Sequence, residues 1–338
     1  CWRTDPAMRA ERKHGGHFPA VQSAAFVFPE SAMRSPLVVS VLAATLALSA
    51  CQSMPHAAQP PVATPAPVAA AAPAFTHAPA VLPNDNLNAT VWMQQTVEYA
   101  AVTQTVYRGA EARLDQALKD KTWDALVPEE REKPAAALPP AVIVDVDETV
   151  LDNSPYQARL VRSGGEYDEA SWAAWVHERK ARAIPGAAAF AQAAAARGIT
   201  VLYISNRAVD LDADTLENLK SEGFPIKDAS VFMGLGTFVP GCEQNGTEKD
   251  CRRRLASRSY RILLQVGDQL GDFVQILSNT PEGRAALFRQ YRDWFGQRWF
   301  MLPNPSYGSW EPAIFNNDWT QPADVRRKAK QDALKIDY

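Results

Sequence analysis

Residues 141–153 read AVIVDVDETVLDN, and the rest of the chain is organised around them. Pro139 and Pro140 stop whatever precedes, after which Ala141, Val142, Ile143 and Val144 run apolar without alternation. A short β-branched run bounded by breakers reads as a strand buried on both faces, the kind a parallel α/β sheet contains. Two carboxylates, Asp145 and Asp147, follow at its C-terminal end. Open α/β sheets bind ligands outside the carboxyl ends of their strands, so these acids emerge where chemistry would sit. An acid pair after a strand is also a common solvated loop. The longer string D-x-D-E-T-x-L-D-N is much harder to obtain by accident.

Residues 199–204 (ITVLYI) form a second such run, ending in Ser205-Asn206-Arg207 ahead of a helix expected near Asp210. A hydroxyl and an amide in that position suit a phosphate oxygen. Further strands are expected over residues 230–233, 262–266 (ILLQV) and 299–302. The ILLQV strand ends at Gly267-Asp268, with Asp272 four residues on, which adds acids at the same edge. The loop before it, EKDCRRR, offers Lys249, and Arg252 to Arg254 read as a solvated helix face. Upstream, Asn86 and Asn88 are candidate N-caps for one long helix to about Asp120, with Val91, Tyr99, Val102, Tyr107 and Leu114 on its apolar face.

Residues 154–198 are mostly helical and sit between the first two strands, where a small cap over the site would be placed. Trp172 and Trp175 there read as packing, and Tyr167 equally as packing or as a flat surface for a base or aryl group. After the last strand, PNPSYGSWE brings Tyr307 and Trp310 within reach of the same edge, and residues 324–337 read as a charged helix.

The 338 residues are 46% hydrophobic and 22% charged, an ordinary globular balance, and the formal net charge of −3 is too small to suggest a nucleic acid partner. Residues 1–32 lack usable periodicity and read as upstream sequence, with the start at Met33. Residues 33–50 read as a signal peptide whose apolar stretch is too short to be a permanent span. It closes on Leu48-Ser49-Ala50-Cys51, which resembles a bacterial lipobox with Cys51 as the lipidated residue; an ordinary secretory signal is the alternative. Residues 51–83, rich in Ala and Pro, read as a tether to a folded domain over 84–338. An oxidising compartment would permit a disulfide between Cys242 and Cys251, with two free thiols as the alternative. Their spacing does not suggest zinc, since no His lies nearby.

The strand ends and one loop carry the order D-x-D, Ser, Lys, G-D-x-x-x-D. This order resembles the haloacid dehalogenase-like (HAD) phosphohydrolases. The strings DVDETVLDNSPY, YISNR, GDQLGDF and LPNPSYGSWE, together with the lipobox, look like the class C acid phosphatases, also called the 5′-nucleotidase lipoproteins. The likeness covers roughly residues 87–310 and the signal. It departs at Gln269, where the family commonly has Asn or similar, and in the loop carrying Cys242 and Cys251.

The resemblance implies an α/β Rossmannoid parallel sheet flanked by helices, with a small helical cap. It implies Asp145 as nucleophile, forming an aspartyl-phosphate, and Asp147 as the acid that protonates the leaving oxygen and then deprotonates water. A dehalogenase releasing halide would not need that second acid. Mg²⁺ would be held by Asp145, the Asp147 carbonyl and Asp268, with Asp272 supporting the metal site or Lys249. Ser205 and Asn206 would bind phosphoryl oxygens, Lys249 would neutralise charge, and Tyr167 and Tyr307 would sandwich a nucleobase or aryl group. The implied substrates are 5′-nucleotides, including nicotinamide mononucleotide, and aryl phosphates, with a rate optimum below neutrality. The same likeness, with Gln52 rather than Asp after Cys51, implies an outer-membrane lipoprotein, and the family tends to be dimeric. The rivals are a non-catalytic lipoprotein that binds a ligand, against which the intact acid set argues, and a phosphotransferase.

Overall fold

The computed structural model describes residues 84–337. The expected leader, signal peptide, Cys51 and tether lie outside the described residues. The single long helix expected at the start is two, α1 (Leu87–Gln95) and α2 (Val97–Lys119). They part at Thr96, whose backbone turns extended while its hydroxyl accepts from the Tyr99 amide and caps α2. Along α2, Tyr99, Thr103, Tyr107, Ala110, Leu114 and Ala117 recur every three or four residues and are buried. Val91 and Val102, expected on that face, are 47% and 43% exposed.

Next come β1 (Pro140–Val144), β2 (Leu151–Asp152), α3 (Ser154–Ser163), α4 (Glu169–Glu178) and β3 (Arg182–Ala183). The pair β2 and β3 is a small antiparallel ribbon at the base of the insertion. The insertion is shorter than the span 154–198 expected for a cap. Helix α5 (Ala187–Ala196) packs on α2 and on β4 (Thr200–Ala208), and its Ala187, Phe190, Ala191 and Ala194 need that cover to leave water. Strand β4 also runs past 204, so Ser205, Asn206 and Arg207 belong to its end rather than to a loop.

The chain continues through α6 (Asp212–Ser221), β5 (Phe232–Leu235), α7 (Asp250–Ser257), β6 (Arg261–Gly267), α8 (Pro281–Tyr291), β7 (Trp299–Met301) and α9 (Ala323–Asp332). Five strands form one sheet in the order β5-β4-β1-β6-β7, with every pairing parallel. The core of β1, Ala141 to Val144, is at most 2% exposed, as a strand covered on both faces requires. Val144 lies opposite Tyr203 of β4 and Val266 of β6. That register sets Asp145, Ser205 and Asp268 along one edge, each within two residues beyond this line. No helix among the described residues is long and apolar enough to cross a membrane.

Candidate active site

At that edge Asp145, Asp268 and Asp272 bring three buried carboxylates within 4.8 Å of one another. Gly267 makes the approach possible: a Cβ there would stand 2.4 Å from the Asp272 side chain. Lys249, at the start of α7, donates from Nζ to Asp145 Oδ1 and, at 2.7 Å, to Asp272 Oδ1. Thr149 Oγ1 donates to Asp145 Oδ2 at 3.2 Å and lies 3.3 Å from Asp268 Oδ1, while Asn304 Nδ2 donates to Asp268 Oδ2 at 2.8 Å. Burial pushes Asp145 up to about 6 even though Lys249 opposes it. Burial, with Asp272 and Asp145 adding to it, holds Asp268 well above the usual carboxylate range. Three desolvated carboxylates facing one ammonium are short of positive charge. The donor set, all hard oxygens, fits a divalent cation such as Mg²⁺.

Asp147 occupies the other side of the turn. Its Oδ1 accepts from Arg207 Nε at 2.9 Å and from Asn153 Nδ2 at 2.8 Å, and its Oδ2 faces Ser205 Oγ at 3.3 Å. Arg207 is 1% exposed and also donates to Asn153 Oδ1 and Thr215 Oγ1, both at 3.2 Å. Sequence reasoning gave neither Arg207 nor Thr149 a role. For Arg207 a signal existed, because residues two apart on a strand share a face and Ser205 was already placed at the site. Directly after Asp147 the backbone turns at Glu148, whose φ of 56° lies in the left-handed region. The buried Glu148 carboxylate accepts from the Asn153 amide at 2.7 Å and from the Tyr307 hydroxyl. Burial and then Asp147 push Glu148 up to about 8.

The basic run after Lys249 differs from expectation. Arg252 and Arg253 are fully buried, not solvated. Arg253 forks onto Glu130 at 2.6 and 2.7 Å and donates to the Gly271 and Asp272 carbonyls. Arg252 donates to the Ser205 carbonyl and to Asn206 Oδ1. Those acceptors, contributed by distant segments, are what make burial of two adjacent cations tolerable. Cys242 and Cys251 are joined as a disulfide with Cα atoms 5.6 Å apart, which ties the first turn of α7 to the preceding loop.

Tyr167 is 55% exposed and lies 6.4 and 6.3 Å, ring to ring, from Tyr156 and Trp172. Trp172 covers the Arg207 guanidinium at 5.5 Å, and the buried Trp175 donates to Asn153 Oδ1 at 2.9 Å. Both tryptophans therefore pack around the acid turn. Tyr307 reaches the same turn through its hydroxyl bond to Glu148, and burial, then Glu148 and Asp147, raise its phenol well above the ordinary value. Gln269 Oε1 accepts from the Ser309 amide at 2.8 Å and so links the G-D turn to the loop carrying Tyr307.

A family model described as HAD superfamily, subfamily IIIB (acid phosphatase), matches residues 52–310. The chain belongs to that family. Among solved structures, the class C acid phosphatase of Bacillus anthracis with tungstate bound is 29% identical, covers 76% of this chain and 100% of its own, and superposes with a TM-score of 0.65. A second structure of that enzyme gives 29% identity, 75% and 98% coverage and a TM-score of 0.63. Among curated proteins, Stem 31 kDa glycoprotein of Glycine max is 27% identical over 165 residues, 49% of this chain and 58% of that protein. Acid phosphatase 1 of Solanum lycopersicum is 26% identical over 165 residues, 49% and 57% respectively. The match thus spans somewhat more than half the length of these curated relatives. Family membership accounts for the parallel sheet.

Proposed function

We propose that this member of the acid phosphatase family hydrolyses phosphate monoesters through an aspartyl-phosphate on Asp145. The observation that carries the reading is the pairing of two aspartates with opposite surroundings: Asp145 is buried against Lys249, and Asp147 is held through Oδ1 by Arg207 with Oδ2 turned to Ser205. Asp145 attacks phosphorus and the bond to the leaving oxygen breaks, while Asp147 Oδ2 gives that oxygen its proton. Asp147 then takes a proton from water, which attacks the acyl phosphate, releasing inorganic phosphate and restoring Asp145. Ser205, Asn206 and Lys249 bind the phosphoryl oxygens and offset their charge. Asp145, Asp268 and the Asp147 carbonyl would hold Mg²⁺, with Asp272 holding Lys249. When bound, the ion supplies the positive charge that lets a carboxylate approach a phosphate dianion.

The relative that takes tungstate, a tetrahedral oxyanion like phosphate, supports a phosphoryl site here. Tyr307, bonded to Glu148 of the acid turn, and the exposed Tyr167 are the rings we assign to the flat leaving groups of 5′-nucleotides and aryl phosphates. The same reading includes a lipidated Cys51, an outer-membrane location and a homodimer. The lipobox-like string and Gln52 support the first two, and the exposed Val91 and Val102 offer apolar surface for the third.

The test follows phosphate release from nicotinamide mononucleotide and p-nitrophenyl phosphate at mildly acidic pH, with Mg²⁺ or with EDTA, beside Asp145→Asn. Release that needs metal and disappears in the variant is the expected result. A folded protein that releases phosphate from neither substrate overturns the proposal.

A further inference from the structure

Arg252 follows Lys249 by one helical turn on α7, yet it points at β4 rather than at the carboxylates. Its Nη1 donates to the Ser205 carbonyl, and its Nη2 to Asn206 Oδ1 at 2.7 Å, with the Glu248 and Thr247 carbonyls behind it at 3.1 and 3.3 Å. Both acceptors in β4 are oxygens, and both belong to the stretch that ends that strand at the site.

This grip has a stereochemical consequence. A free asparagine amide can present either its oxygen or its NH₂ to a ligand, but a guanidinium only donates. With Arg252 in place the oxygen must face inward, and the NH₂ is left outward. Among the described residues Asn206 Nδ2 has no partner, and the side chain is exposed at the strand end. The peptide between Ser205 and Asn206 obeys the same logic. It is trans, so fixing its carbonyl toward Arg252 turns the Asn206 N–H to the opposite side.

We propose that Arg252 is a positioning residue that makes Asn206 an obligate hydrogen-bond donor and so tunes the strand end for an oxyanion. The inference rests on the phosphomonoester reading and deepens it: a group carrying only acceptor oxygens, as a phosphoryl dianion does, is favoured there. Lysine could not replace it, because one ammonium cannot hold two oxygens in a fixed planar fork.

The test measures tungstate and orthophosphate binding to the purified full chain by calorimetry, beside KM and kcat for p-nitrophenyl phosphate. Arg252→Gln should weaken tungstate about tenfold or more, a typical cost of losing oriented donors to a charged ligand, and raise KM in proportion with a smaller change in kcat. Arg252→Lys, which keeps charge and approximate volume, should show the same loss and serves alone if the glutamine variant does not fold. Asn206→Ala should match them, and the double variant Arg252→Gln, Asn206→Ala should be no weaker than either single one. A purely structural arginine would lower Tm but leave the folded protein's affinity unchanged, and that result overturns the inference. Losses that multiply in the double variant overturn it too. Wild-type protein that binds tungstate without turning over any phosphomonoester removes the phosphatase reading while the affinities still judge Arg252. A wild type that binds neither anion overturns both.

Discussion

Helices α7 and α9 read almost alike, DCRRRLAS and ADVRRKAKQD, each opening near an aspartate and each dominated by cations. One buries Arg252 and Arg253 completely, and the other buries no residue. The helices themselves do not explain this. Arg253 meets the equally buried Glu130 and two carbonyls of the G-D turn, so its charge and most of its donors are matched. On α9, Lys330 meets Asp85 and Glu311 at 3.1 and 3.0 Å, and Arg326 meets a Glu166 that is 68% exposed. A cation leaves water only where enough fixed acceptors already wait for it. Helix α9 also lies beyond residue 310, where the family match ends. A basic stretch therefore says nothing about burial until the acceptors from elsewhere in the chain are known.

Substitutions on the two helices should separate accordingly. The largest contrast is in turnover. Lys249→Met removes the cation between Asp145 and Asp272 and should cut phosphate release by roughly a thousandfold, the scale of losing a preorganised charge at a reacting centre. Lys330→Met should leave kcat within about twofold, since its partners are surface carboxylates. Comparable losses would show that α9 serves the site as well.

The next contrast is in stability. Arg253→Met strands a buried Glu130 and should cost about 3–5 kcal/mol in urea unfolding. Arg326→Met should cost less than about 1 kcal/mol. Reducing the Cys242–Cys251 bridge loosens only the start of α7, and the short loop it closes makes a cost of about 2–3 kcal/mol the expected figure. An unchanged Tm under reductant would mean that the packing of α7 alone holds Lys249.

The smallest contrast is at alkaline pH. Burial works against the Lys249 ammonium, but Asp145 and Asp272 outweigh it, so its pKa is raised in the folded protein. The sign follows: this pairing stabilises fully below about 10.5, the unfolded value for lysine, and the benefit is lost as pH rises through the folded value. Lys330 is raised as well, by Glu311 and Asp85 against weaker burial. In EDTA, unfolding followed from pH 9 upward should show a decline that Lys249→Met flattens clearly and Lys330→Met barely alters.

Much of the frame was legible because its signals are local. The apolar runs at the heart of β1, β4 and β6, the last interrupted only by Gln265, announce buried parallel strands, and the acids after β1 and β6 announce the edge where they emerge. The break at Thr96 was not legible, since its surroundings favour helix on either side and only the cap decides. The layer to which α5 belongs was equally hidden, because an alanine-rich helix can pack on a cap or on a sheet. At the site, residues announced by type and spacing, such as Asp145 and Asp268, could be named. Thr149 and Arg252 could not, because each acts through hydrogen bonds to residues far away in sequence, and Arg207 was legible only through its strand spacing from Ser205.

The central place of β1 has a consequence for how the molecule is made. Its neighbours on both sides, β4 and β6, are synthesised after it. The strand that delivers Asp145 must wait through the whole insertion for one partner, and through three more elements for the other. No nascent or truncated chain ending before β6 can hold Asp145, Lys249 and Asp268 together. The three residues therefore come together only after β6 has been made, and no fragment that ends earlier can assemble them.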